Sequence, residues 1–168
     1  MKDLVTRARE YAEIAHGGQM YGEDPYVKHL QDVHDALVDF GVTDIRALAA
    51  GYLHDVVEDT DVSIQDIQCE FGFLVADIVW FCTDEEGESR KERKSATYKK
   101  WQALISSHPE GHYDLHRTVK VVDRICNLRD CPPGLLKMYR KEHAEFKDAI
   151  GPHPLLIEAE VLLGLQEA

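Results

Sequence analysis

The run Leu53-His54-Asp55-Val56-Val57-Glu58-Asp59 constrains this chain more than any other stretch, because it sets four ionisable groups within an apolar helical pattern. Ahead of it, Ile45, Leu48, Ala49, Tyr52, Leu53 and Val56 recur at the spacing of a helix face, and Thr43 is placed to cap that helix. In an unbroken helix residues four apart share a face, so Glu58 would lie one turn beyond His54, and Asp59 one turn beyond Asp55. Two acids at the end of an apolar helix can be a solvated terminus. A His and an Asp flanked by Tyr52, Leu53, Val56 and Val57 are costly to bury without a partner, and a metal ion is the usual one. The strip reads as two metal ligands followed by two carboxylates able to orient or deprotonate a water molecule.

An ion needs further ligands. Pro25-Tyr26-x-x-His29 places His29 among core residues of the preceding helix, a setting in which a lone histidine is more often a packed core group. Val119-Lys120-Val121-Val122-Asp123-Arg124-Ile125-Cys126-Asn127-Leu128 carries an acid within a strongly apolar helix. There Asp123 and Asn127 share a face, with Lys120 one turn before, and Asp123 could equally pair with Lys120 or Arg124. Together His29, His54, Asp55 and Asp123 form a two-His, two-Asp set. Mixed imidazole and carboxylate ligation with open positions suits a catalytic Mn²⁺ or Fe²⁺ better than a structural zinc.

The remaining sequence predicts an all-α fold of about eight helices in a single domain spanning residues 1–168, long enough for a full hydrophobic core. Helices are expected at about 2–16, 25–40, 43–59, 63–71, 73–81, 95–106, 114–130, 135–149 and 154–166. Pro25 should stand at a first helical position, and Ser63 with Asp66 resembles a capping box. The segment 19–24 reads as a loop and 83–95 as a mobile loop or helix edge, and no stretch alternates like a strand. Cys69, Cys82, Cys126 and Cys131 form no CxxC pair and read as reduced, mostly packed thiols of a cytoplasmic protein. No apolar run approaches a membrane span, and Met1-Lys2-Asp3-Leu4 lacks a signal-peptide core. A net charge of -12 argues against nucleic acid as a partner, since phosphate backbones require a basic footprint. It leaves room for a small phosphorylated nucleotide, because screening confines the global field to about 8–10 Å.

The ordered set Pro25-Tyr26-x-x-His29, His54-Asp55-x-x-Glu58-Asp59-Thr60, Phe71-Gly72, Thr83-Asp84, Glu92-Arg93-Lys94 and Val119-Lys120-x-x-Asp123-x-x-x-Asn127-Leu128-Arg129 resembles the HD-superfamily hydrolase domain of RelA/SpoT-type proteins. It is most similar to the small stand-alone hydrolases that cleave (p)ppGpp at its 3′-diphosphate. The resemblance implies one Mn²⁺ on His29, His54, Asp55 and Asp123, catalytic acids at Glu58 and Asp59, and Asn127 near the nucleotide. It also implies an Arg-Lys pair before Pro25 that contacts base and phosphates. Here that loop reads Gln19-Met20-Tyr21-Gly22-Glu23-Asp24, with two acids and no basic residue. Tyr21 is positioned to stack on a base.

Positive charge for a phosphate is available at Arg93 and Lys94, within the run Arg90 to Lys100, and at Lys120 and Arg124. Three functions remain open: an alarmone pyrophosphohydrolase, a phosphatase or phosphodiesterase for another nucleotide including NADPH-like 2′-phosphates, and a non-catalytic nucleotide sensor. His108, His112 and His116 are spaced by four, but Pro109 and Gly111 interrupt them and they read as surface histidines of a loop. His16 and His143 carry no partner visible in the sequence.

Overall fold

Asp3 opens the first helix: its carboxylate accepts a hydrogen bond from the Thr6 amide at 2.9 Å, satisfying one of the free N–H groups of the first turn. The computed structural model describes residues 2–108, 113–129 and 131–166. It divides into two compact units, Met1–Thr83 and Asp84–Ala168. The fold is all-α, as the sequence predicts, apart from one minimal hairpin.

The first unit holds α1 (Leu4–His16), α2 (Tyr26–Asp39), α3 (Ile45–Leu53), α4 (Val56–Asp59), α5 (Ile64–Phe71) and α6 (Phe73–Cys82). Helix α3 is its axis, packing against α1, α2 and α6. That position explains why Ala47, Ala49, Ala50, Gly51, Tyr52 and Leu53 are all buried: small residues let the neighbouring helices close in. At Gly51 a Cβ would lie 2.8 Å from Leu37 Cδ1 and 3.5 Å from His34 Cα on α2. Gly51→Ala is therefore expected to lower stability by about 1–3 kcal/mol through overpacking, read as a lower urea midpoint. An unchanged midpoint would mean that α2 yields freely at this crossing.

The second unit holds α7 (Arg90–Ser107), α8 (Asp114–Arg129), α9 (Pro133–Ile150) and α10 (Leu156–Leu162), with α7 against α9 and α8 against α10. Trp101, Tyr98 and Phe146 form its aromatic centre. No described helix is long and apolar enough to cross a membrane.

Several local expectations change. The loop before α2 contains β1 (Met20–Tyr21) paired antiparallel with β2 (Asp24–Pro25), closed by Gly22 at φ 63°. Pro25 precedes α2 as its cap residue, one position earlier than expected. Asp44, not Thr43, caps α3, because its carboxylate reaches the Arg46 amide at 2.9 Å. The Ser63–Asp66 capping box forms with Asp in place of the longer acid. Of the two readings open for the basic run, loop or helix edge, the helix edge holds: it belongs to α7, which begins at Arg90 behind the Ser89 cap.

The most consequential change is that the helix expected to run through Asp59 is interrupted at His54-Asp55. His54 Nδ1 lies 2.9 Å from the Gly51 carbonyl, the acceptor that an unbroken helix would offer to the Asp55 amide. Asp55 flattens to ψ -5°, and α4 starts afresh with the Glu58 and Asp59 amides bonding the Asp55 carbonyl at 3.1 and 2.9 Å.

Candidate functional site

Three elements of the first unit deliver the candidate ligands. His29 comes from the first turns of α2, His54 from the end of α3, and Asp55 from the turn before α4. His54 Nε2 lies 3.2 Å, and His29 Nε2 3.6 Å, from Asp55 Oδ2. One atom from each residue falls within 4.8 Å of the others, close enough to hold one metal ion. Both imidazoles are buried, and the Asp55 side chain is 15% exposed. A carbonyl only accepts, so the bond to Gly51 puts the His54 proton on Nδ1 and turns the Nε2 lone pair toward Asp55. Two imidazole nitrogens and one carboxylate oxygen are a donor set for a divalent transition ion, and the chain's own break at His54-Asp55 brings two of them together.

Around this group lie Tyr26, Gln19 and His16, to which the sequence pattern gave no role, together with Tyr21. The Tyr26 hydroxyl donates to Asp55 Oδ2 at 2.8 Å and is also in close contact with Asp59 Oδ2. Burial, followed by the two carboxylates, pushes the Tyr26 phenol well above its ordinary range, so it remains a donor. Gln19 Nε2 donates to the Asp59 carbonyl at 2.7 Å, and its own carbonyl accepts from the Tyr26 amide at 3.0 Å. His16 has partners after all: its Nδ1 is 2.8 Å from Gln19 Oε1, and its ring stacks on Tyr26. Tyr21 stacks on His29, with ring centroids 4.6 Å apart and planes 11° apart. Tyr26 could have been found from its place one helical turn before His29. Gln19 carried no comparable signal. Glu58 and Asp59 are both exposed on α4.

The other site candidates lie in the second unit. Asp123 on α8 accepts from Lys120 Nζ at 2.9 Å and from Asn127 Nδ2 at 2.6 Å, the helix-face pairing its spacing suggests. Lys94 pairs with Asp84 at 2.7 Å. Burial and the neighbouring Lys120 hold the Lys94 ammonium below the usual lysine range, with Asp84 opposing them. Arg124 lies over the rings of Phe146 and Tyr139, 4.3 and 4.6 Å from their centroids. Arg93 is half-buried in the first turn of α7, against Gly87. His116, expected on a loop surface, is buried on α8 beside Tyr113. His112 lies outside the described residues, and His143 meets Glu160 at 3.3 Å. All four cysteines are free thiols; Cys82 is buried, whereas Cys69 is exposed rather than packed.

The HD-domain family model matches residues 8–144, a span that includes the buried His29 and His54 and the partly buried Asp55. The chain belongs to the HD-domain family of metal-dependent phosphohydrolases. Among curated proteins it is 36% identical over 125 residues to guanosine-3′,5′-bis(diphosphate) 3′-pyrophosphohydrolase MESH1 of Drosophila melanogaster, covering 72% of this chain. It spans 65% of that relative's length. The MESH1 of Xenopus tropicalis is 32% identical over 137 residues, covering 77% of this chain and 72% of the relative. Among solved structures, a metazoan ortholog of SpoT, described as hydrolysing ppGpp and acting in starvation responses, superposes with a TM-score of 0.81 at 26% identity. That match covers 99% of this chain and 98% of the other.

Proposed function

We propose that the protein hydrolyses a (p)ppGpp-type nucleotide, adding water at the 3′-diphosphate and releasing pyrophosphate. The observation that carries this reading is the convergence of His29, His54 and Asp55 within 4.8 Å, in a chain similar to proteins named for that reaction. On this reading Mn²⁺, with Fe²⁺ as the other candidate, is held by His29, His54, Asp55 and Asp123. The bound ion would supply a Lewis acid for a phosphoryl oxygen and lower the pKa of a bound water. Glu58 and Asp59, exposed on the turn that follows the ligands, orient the water and take its proton. Asn127, Lys120, Arg124, Arg93, Lys94 and Tyr21 are the candidates for holding the nucleotide. Four free thiols support a cytoplasmic setting.

The test is an assay of Mn²⁺-loaded protein against ppGpp and a nucleotide panel, with products separated by ion-exchange chromatography. Metal binding without turnover of any phosphate ester would overturn the reading and favour a nucleotide sensor. Glu58→Ala is expected to retain Mn²⁺ and lose about 10²–10⁴ in kcat, the usual contribution of a general acid–base group. Loss of the metal in that variant would show that Glu58 is a ligand.

A second substrate reading rests on the hairpin. Its Glu23 and Asp24 are exposed, no basic residue lies between Gln19 and Tyr26, and Tyr21 packs on His29. Such a surface disfavours a highly charged alarmone and favours a nucleotide with fewer phosphates near this edge, such as an NADPH-like 2′-phosphate. The ranking of kcat/KM across the panel separates the two.

A further inference from the structure

The Tyr26 hydroxyl has one proton and two carboxylate acceptors. One is Asp55 Oδ2 at 2.8 Å, the oxygen that faces both His29 and His54; the other is Asp59 Oδ2. The phenol therefore links a candidate ligand to a candidate proton acceptor across the break between α3 and α4. Its own placement is closed on itself. The Tyr26 amide donates to the Gln19 carbonyl, Gln19 Nε2 donates to the Asp59 carbonyl, and Gln19 Oε1 meets His16, whose ring stacks on Tyr26 with centroids 4.3 Å apart. Both ends of the Tyr26–Asp59 contact are thus tied to one residue, Gln19, just ahead of the hairpin. Holding them costs little entropy, because an aromatic side chain has only two torsions and here both ring and hydroxyl are fixed by neighbours.

We propose that Tyr26 is a positioning residue: its hydroxyl orients the Asp55 carboxylate toward the two histidines and holds Asp59 in register with it, in a frame that Gln19 supplies. Hydrogen bonds of this kind set the direction of a ligand and are worth a substantial share of its affinity. An exposed aspartate at the end of a one-turn helix would otherwise sample many rotamers, so the same bond keeps its carboxylate beside the ligand group. The catalytic part of this inference rests on the phosphohydrolase reading; the metal-binding part does not.

Tyr26→Phe keeps the ring and removes only the hydroxyl. Mn²⁺ affinity, measured by the electron paramagnetic resonance signal of free Mn²⁺, is expected to weaken about 10–100-fold. At saturating Mn²⁺, kcat should also fall about 10-fold or more while KM stays within about twofold, since the hydroxyl does not touch substrate. The melting temperature of the metal-free protein should move by only a few degrees. Gln19→Ala leaves the bond to Asp55 intact, so it should lower kcat several-fold, by roughly 0.5–1.5 kcal/mol of lost hydrogen bond, and leave Mn²⁺ affinity within about twofold. Tyr26→Phe combined with Asp59→Asn should lose less rate than the product of the two single losses, because they share the Asp59 contact while the Asp55 bond belongs to Tyr26 alone.

Wild-type Mn²⁺ affinity and kcat in Tyr26→Phe would overturn the proposal. So would rate losses that multiply in the double variant, or a Tyr26→Phe protein that fails to fold, which would make the hydroxyl a structural group. If the wild-type protein turns over no nucleotide but Tyr26→Phe still weakens Mn²⁺ binding, the phosphohydrolase reading falls and the positioning of Asp55 stands.

Discussion

On the phosphohydrolase reading, replacing His54 with alanine is expected to remove Mn²⁺ binding and to lower nucleotide hydrolysis by more than about a hundredfold, the upper range for losing even an outer partner of a ligand. The imidazole is fully buried, its Nδ1 is committed to the Gly51 carbonyl, and its Nε2 faces Asp55 at 3.2 Å. No nearby rotamer change can replace a nitrogen delivered by the backbone turn itself. The experiment that isolates the metal is thermal unfolding with and without Mn²⁺. At a concentration of about 100 Kd, the ion should add about 2.7 kcal/mol to the wild-type protein and nothing to His54→Ala. The metal-free variant should itself be weakened, since alanine leaves a void where a fully buried imidazole stood. Equal stabilisation of both proteins by Mn²⁺ would remove His54 from the ligand set.

Much of this site is legible in the amino-acid pattern, and the reason is particular. His54, Asp55, Glu58 and Asp59 interrupt an apolar period, and a His and an Asp among apolar neighbours demand a partner. What the period does not reveal is the break between α3 and α4. No Gly or Pro marks it; a side-chain bond from His54 to a main-chain carbonyl makes it, and that competition is silent in a hydrophobic pattern. The break matters for chemistry. In an unbroken helix the acids would simply stack under the ligands, whereas here Asp59 turns to meet Tyr26 and Gln19. Tyr26 stands in the sequence only as part of Pro25-Tyr26-x-x-His29, and Tyr21 as an aromatic able to stack on a base, because sequence does not say that one carries its hydroxyl between two carboxylates and the other lies on His29.

The start of α7 is a different case, since its signal is present and outweighed. Ser89-Arg90-Lys91-Glu92 has the spacing of a helix start, with Ser89 Oγ 3.3 Å from the Glu92 amide and Glu92 Oε2 reaching back to the Glu88 amide at 3.0 Å. The charged run hides it by lacking an apolar period. That run is nonetheless structural in part, because Arg90 forms a two-pronged pair with Glu142 at 2.9 and 3.0 Å, and Lys94 reaches Asp84. Reading it only as a solvated face or only as a phosphate contact misses that some of its charge is already spoken for.

Asp84→Ala is the substitution expected to cost the second unit most, about 3–5 kcal/mol, because it leaves a buried cation without its counter-charge. The Asp84 side chain is 6% exposed and that of Lys94 17%, at an Nζ–Oδ2 separation of 2.7 Å. Burial alone would raise the Asp84 pKa, but the fields of Lys120 and Lys94, with the Lys94 hydrogen bond, outweigh it and hold the carboxyl below its ordinary 3.8. A folded pKa below the unfolded one means that Asp84 stabilises the fold fully above about pH 4 and loses that contribution as pH falls through the folded value. Wild type and Asp84→Ala should therefore differ in urea midpoint at neutral pH and converge in acid. In the variant Lys94 loses an opposing charge while Lys120 still repels it, so its ammonium is pushed further down. The variant should then regain stability as pH rises toward the lysine range, and by more than wild type, in which Asp84 still opposes the fall. Asp84→Ala combined with Lys94→Met should recover much of the loss, since replacing both buried partners by apolar groups is often neutral. A double variant as weak as the single one would place the cost in packing around Asp84 rather than in the stranded charge.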